Sequence, residues 1–172
     1  MPLSLLRPHE GNRWVAPLAG MVKINVDGAT SENGRNSSMG VIIKDSQGLV
    51  VTACSRYLFG LFTASEVKVL AIECGILFAQ ELELSQLIIE SDALSVVKSI
   101  IDKETDGSLG HLYSGISQVL ESFSRWESKH VKKGYNRVAH ELTQLAKRNE
   151  ASQRWIRVSP PMFLNLILAN CS

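Results

Sequence analysis

The hydrophobic period of this chain changes partway along it, and that change limits the folds open to it. From Met21 onward, Val22, Ile24 and Val26 alternate with Lys23, Asn25 and Asp27. A period of two fits a half-buried strand, with Asp27 at the end of its polar face. Val41 to Ile43 and Leu49 to Cys54 are two further apolar runs, separated by Asp45-Ser46-Gln47-Gly48, which carries hairpin chemistry. From Ala64 to Leu82 the period lengthens, because Val67, Leu70, Ala71, Cys74, Leu77 and Phe78 recur at helical spacing. Three antiparallel strands are therefore expected first, followed by a long helix.

Beyond that helix, Leu87 to Ile89 is a short all-apolar run, as expected of a strand covered on both faces. Helices are expected at Ala93–Ile101 and Leu109–Phe123, a strand at Trp126–Val131 and a last helix at Arg137–Asn149. The order is βββ-α-β-α-α-β-α, and crossovers through helices imply parallel pairing of the later strands. A chain of 172 residues, 45% hydrophobic and 20% charged, suits one core. Residues 1–20 read as a lead-in broken by Pro2, Pro8, Gly11, Asn12, Pro17 and Gly20, residues 21–150 as the domain, and 151–172 as a tail.

Several classes are disfavoured. The runs Leu3 to Leu6 and Met162 to Ala169 are both too short to span a membrane. Three cysteines, Cys54, Cys74 and Cys171, form no CxxC pair and stand beside no histidine at ligand spacing. A reduced intracellular monomer follows, in nucleus or cytoplasm, with Cys54 and Cys74 as core thiols. With 18 Lys and Arg against 17 Asp and Glu the net charge is +1, so any grip on a polyanion must be local.

Three acids occupy positions that matter more than their number. Asp27 ends the first strand, Glu66 opens the long helix, and Asp92 follows the buried strand Leu87 to Glu90. Strand ends sharing an edge put the residues after them into one crevice. Carboxylates crowded there repel one another unless a cation intervenes, and Mg²⁺ or Mn²⁺ prefers oxygen ligands. Two such ions roughly 4 Å apart can activate a water and stabilise the leaving oxygen of a phosphodiester. Each acid also has a plainer use: Glu66 lies three residues after Thr63, the spacing of a capping box, Asp92 can cap the next helix, and Asp27-Gly28 can be a turn.

Four segments, Lys23-Ile24-Asn25-Val26-Asp27-Gly28-Ala29, Ser65-Glu66, Ile89-Glu90-Ser91-Asp92 and Asn136-Arg137-Val138-Ala139-His140-Glu141-Leu142, stand in the order and spacing of ribonuclease H-like domains. The chain resembles in particular the plant reverse-transcriptase-associated, retroelement-derived branch, whose domain is often preceded by a tryptophan and proline lead-in similar to Trp14 to Pro17. The resemblance covers about residues 14–168. It implies an α/β fold with a five-stranded mixed sheet flanked by helices, three antiparallel strands and then parallel ones. It also implies divalent-metal cleavage of the RNA strand of RNA/DNA hybrids, with Asp27, Glu66 and Asp92 as the first three metal-binding acids.

The fourth acid of that pattern is replaced by His140. The stripe Val138, Leu142, Leu145 and Ala146 leaves His140 on another face in the first turn of its helix. A positive helix terminus disfavours imidazolium, so the neutral ring is expected, able to act as a weak ligand for the second metal or to handle a proton. The alternatives are a nucleic-acid-binding module that has lost catalysis and, further off, a protein-interaction domain. Lys129, His130, Lys132, Lys133 and Arg137 cluster before this helix with Trp126 and Tyr135 nearby, either as a phosphate-holding patch or as a solvated loop. Lys132, Lys133, Asn136 and Arg137 are the expected nucleic-acid contacts. Thr30 to Ser38 is either a backbone-contacting loop or a hairpin link.

Overall fold

The computed structural model describes residues 14–157. The segment before Trp14, the apolar run at 162–169 and Cys171 lie outside the described residues. Three antiparallel strands come first: β1 (Val22–Thr30), β2 (Asn36–Lys44) and β3 (Val50–Phe59). They are followed by α1 (Ala64–Glu81), β4 (Gln86–Ser91), α2 (Leu94–Ile101), α3 (Gly110–Leu120) and β5 (Arg125–His130). A short 3₁₀ turn (Lys133–Asn136) leads into α4 (Arg137–Asn149), and β6 (Gln153–Ile156) closes the described chain. The sheet order is β5-β4-β1-β2-β3-β6, with β4 parallel to both β1 and β5.

The α/β architecture is therefore as expected, but the sheet has six strands instead of five. The sixth is β6, which pairs antiparallel with β3 from Ser55↔Gln153 to Thr52↔Ile156. Its four residues are mostly exposed and carry no apolar alternation, so periodicity gives no sign of it. β3 also runs past Cys54, to Phe59.

Alternation along β1 sends its residues to two different layers. Val22, Ile24 and Val26 join Met39, Val41, Ile43, Leu87 and Ile89 under α1, α2 and α3 in the larger core. On the other face, Ile42 and Ala53 pack against Val138, Leu142 and Leu145 of α4. α1 lies between the sheet and α3, so its buried surface is wider than one stripe: Val69, Ile72, Ile76 and Ala79 are buried, while Leu77 is exposed. Cys54 and Cys74 are buried free thiols.

Two glycines let helices approach the sheet closely. A Cβ at Gly75 would lie 2.7 Å from Ile24 Cγ2, and one at Gly40 would lie 2.2 Å from the Ala139 carbonyl oxygen and 2.7 Å from the Thr143 amide nitrogen. Gly40 pairs with Asp27 across β1 and β2. α4 thus crosses the sheet beside the position where the first acid stands. Ser55 Oγ pins the helix further by donating to the Leu142 carbonyl at 2.6 Å.

Candidate active site

Parallel pairing of β1 with β4 sets the register of the two aspartates. Asn25 pairs with Glu90, and the same offset carried two residues on brings Asp27 level with Asp92 at the sheet's edge. Asp27 lies within β1, which continues to Thr30, so it is no turn residue. Asp92 does not cap α2 either, since the residue at that helix's N-cap is Ala93 and no side chain caps it. Burial above all, and the neighbouring charge of Asp92 after it, push the Asp27 carboxyl up from its ordinary range. A backbone hydrogen bond at Gly28, His140 and Lys68 act in the opposite direction.

His140 meets Asp27 from the opposite layer, its Nδ1 3.1 Å from Asp27 Oδ2. The aspartate side chain is 7% exposed and the imidazole 44% exposed, so the ring keeps one edge in solvent. Lys68 comes from α1, with its Nζ 3.5 Å from Asp92 Oδ1. Nothing in the sequence marks Lys68 as part of this site; finding it needs the β1–β4 register and the docking of α1 together.

Glu66 does not join the other acids. Thr63 Oγ1 accepts from the Glu66 amide at 3.1 Å, and Glu66 Oε1 accepts from the Thr63 amide at 3.2 Å, a complete capping box. Of the two uses open to Glu66, the described structure has the cap. Among the described residues, no three acidic, histidine or cysteine side chains converge as ready metal ligands.

A polar network supports the site from behind. Asn25 Nδ2 donates to Glu90 Oε1 at 3.0 Å and to Asn136 Oδ1 at 3.1 Å, and Asn136 Nδ2 donates to the Val26 carbonyl at 2.8 Å. Asn136 is buried and its amide is engaged within the protein, between β1 and the start of α4. Trp14 Nε1 donates to Asn25 Oδ1 at 3.0 Å. Lys23 pairs with Glu90 at 3.2 Å and also donates to the Val15 carbonyl. The indole of Trp14 lies under both the Lys23 and the Lys44 ammonium groups, 5.3 and 4.7 Å from its ring centre.

The other expected contacts divide between surface and core. Lys132, Lys133 and Arg137 stand at the entrance to α4, and Lys133 and Arg137, both exposed, line a shallow pocket with Gly134, His140 and Glu141. Lys129 instead pairs with Glu127 at 3.4 Å on β5, and Trp126 packs against the larger core. The link between β1 and β2 is an ordered turn, in which Asn33 Oδ1 accepts from Ser31 Oγ at 2.6 Å and from the Arg35 amide at 2.9 Å.

A mixed sheet with this strand order, covered by helices on both faces and bearing one aspartate within its first strand and another just past its paired fourth strand, defines a ribonuclease H-like domain. The chain belongs to the family described as reverse transcriptase-like, which matches residues 25–146. A curated Arabidopsis thaliana protein, "Putative ribonuclease H protein At1g65750", is 28% identical over 137 residues, covering 77% of this chain and 22% of that protein. The chain thus spans a little over a fifth of that relative's length.

Solved structures share the fold at lower identity. RNase H1 from the halophilic archaeon Halobacterium salinarum NRC-1 superposes with a TM-score of 0.69 at 19% identity, over 76% of this chain and 99% of that one. LC11-RNase H1 in complex with an RNA/DNA hybrid gives 0.67 at 20% identity, with the same coverage of 76% and 99%. A foamy viral protease-reverse transcriptase structure in complex with dsDNA gives 0.59 at 16% identity, over 75% and 94%.

Proposed function

We propose that this domain holds an RNA/DNA hybrid against the Asp27–Asp92 crevice and hydrolyses its RNA strand with the help of Mg²⁺ or Mn²⁺. The observation that carries this reading is the juxtaposition of Asp27 and Asp92, with His140 on the first of them. The donor chemistry fits one hard divalent ion. Two largely buried carboxylates supply anionic oxygens, and their mutual repulsion is relieved by a cation. Such an ion would be held by Asp27 and Asp92, and would supply charge to stabilise the phosphodiester and acidify a bound water. A second ion has fewer donors, because Glu66 is engaged in its cap and His140 leans on Asp27.

The protein's own groups provide the rest. Lys133 and Arg137 offer positive charge close to His140, with Lys132 one residue before Lys133 in the chain, suited to holding backbone phosphates without reading bases. When the neutral ring donates to Asp27 through Nδ1, Nε2 is the acceptor left to exchange a proton with solvent or substrate. The Asn25–Asn136 contact holds the start of α4 against β1, which keeps His140 within reach of Asp27.

The test is hydrolysis of an end-labelled RNA/DNA hybrid with Mg²⁺, with Mn²⁺ and with chelator, using Asp27→Asn as the control. Metal-dependent cleavage abolished by Asp27→Asn is expected. A second reading, binding without hydrolysis, is favoured by the Glu66 capping box and by the Lys68–Asp92 ion pair. Hybrid binding in fluorescence anisotropy with no cleavage in either metal would select it.

A further inference from the structure

The geometry points to Lys68 as a resident cation of the acidic crevice, which competes with the divalent ion for Asp27 and Asp92 and sets how tightly that ion is held. The inference rests on the metal-dependent reading above and goes beyond it, since it concerns a residue outside the expected ligand set. Lys68 Nζ is 3.5 Å from Asp92 Oδ1, and its charge also acts on Asp27. The Lys68 side chain is 27% exposed and the Asp92 side chain 12%. The pair is therefore partly sheltered from solvent, more so than an open surface contact.

The fold delivers Lys68 to this place. Thr63 and Glu66 fix the start of α1 through their reciprocal cap. One residue past Asp27, a Cβ at Gly28 would lie 2.8 Å from Val67 Cγ1, so α1 touches β1 directly beside the acid. Lys68 follows Val67 in the chain and reaches over the sheet's end towards Asp92.

Charge then decides the competition. Two carboxylates and one ammonium leave a single negative charge. A divalent ion entering beside the ammonium would carry the crevice to net positive, and like charges at such separations repel appreciably even under aqueous screening. The ion therefore binds more weakly while Lys68 stays on Asp92, and most tightly once that ammonium has moved away. A neutral side chain at position 68 removes this opposition.

The experiment is calorimetric titration of Mn²⁺ into the parent protein, Lys68→Met, Lys68→Arg and the double variant Lys68→Met with Asp92→Asn, at low ionic strength. Lys68→Met should bind Mn²⁺ roughly tenfold more tightly than the parent. Lys68→Arg should retain the parent affinity, and the double variant should lose the gain. If Lys68→Met fails to fold by circular dichroism, Lys68→Gln gives the same readout. Equal, measurable Mn²⁺ affinity in parent and Lys68→Met would overturn the role of Lys68 while leaving the metal reading intact. Mn²⁺ binding by neither protein would overturn both.

Discussion

His140 Nδ1 stands 3.1 Å from Asp27 Oδ2, and the contact depends on the glycine that faces Asp27 from the neighbouring strand. With any Cβ at position 40 the backbone of α4 at Ala139 would have to withdraw, taking His140 with it. The histidine is thus built into the site by backbone packing as well as by its own side chain.

That placement gives the first prediction. His140→Asp would set a carboxylate beside Asp27, where its charge adds to that of Asp92. In chelator the variant should melt below the parent. Mg²⁺ should raise its melting temperature more than the parent's, because a ligand that binds only the folded state stabilises it by mass action. Mg²⁺-dependent hybrid cleavage should increase too, since a hard anionic oxygen replaces a neutral nitrogen. Identical melting shifts for the two proteins would refute this.

Asp27 gives a prediction of opposite sign. Burial and Asp92 raise its folded pKa above the unfolded one. Its contribution to stability is therefore fully present below the unfolded value and is lost as pH rises through the folded value. At pH 7 the ionised carboxylate costs stability, so in metal-free buffer Asp27→Asn should melt a few degrees above the parent, at about 2–4 °C per kcal/mol in a domain this size. The gap should shrink as the pH falls through the raised folded value and be gone once the pH is below the ordinary carboxylate range. A gap that stays constant from pH 7 to pH 3 would mean that desolvation is not its source.

Trp14 precedes the expected domain boundary at residue 21, yet it is buried, donates to Asn25 and lies beneath two lysines. Trp14→Ala should cost roughly 3–5 kcal/mol, the usual range for removing a buried tryptophan. Chemical denaturation of the variant against the parent measures it. Val15→Ala should cost little, since that side chain is 61% exposed and only its carbonyl is used.

If Lys133 and Arg137 hold phosphates, replacing both by Gln should weaken hybrid binding equally across sequences. The salt dependence of log K should also become shallower, by about one unit for each phosphate no longer held. Anisotropy titrations at several salt concentrations would show this, and an unchanged slope would return both side chains to the role of solvated surface.

Much of this arrangement is legible in local pattern. The period switch locates β1 to β3 and α1, and the last helix has the expected bounds, Arg137–Asn149. The expectation that Asp27 and Asp92 meet is met through the parallel β1–β4 register, although β1 runs on to Thr30 past the expected end at Asp27. Glu66 resists such reading because one spacing, Thr63-x-x-Glu66, serves both a cap and a ligand, and only the side-chain rotamer separates them. Asn136 reads as a surface contact, whereas its burial follows from pairing with Asn25, 111 residues earlier. Lys68 is silent because its partner Asp92 reaches it only through the docking of α1 on the sheet, and the lead-in marks Trp14 without showing that it is buried against Asn25.

β6 changes what kind of border the sheet has on that side. Without it, β3 would present unpaired backbone donors and acceptors from alternate residues along its ten-residue length, with Phe59 exposed at its end and Leu61 just beyond. Such a row is a template on which another chain can add itself as a strand. Gln153 to Ile156 take up part of that row, and the border becomes a four-residue strand carrying Gln153 and Arg154. Arg154 is tied back to Glu81 at 3.2 Å and lies 3.9 Å from the Phe78 ring centre, which holds the short strand in place. Among the described residues, four with no visible pattern in the sequence thus exchange a long open border for a short one.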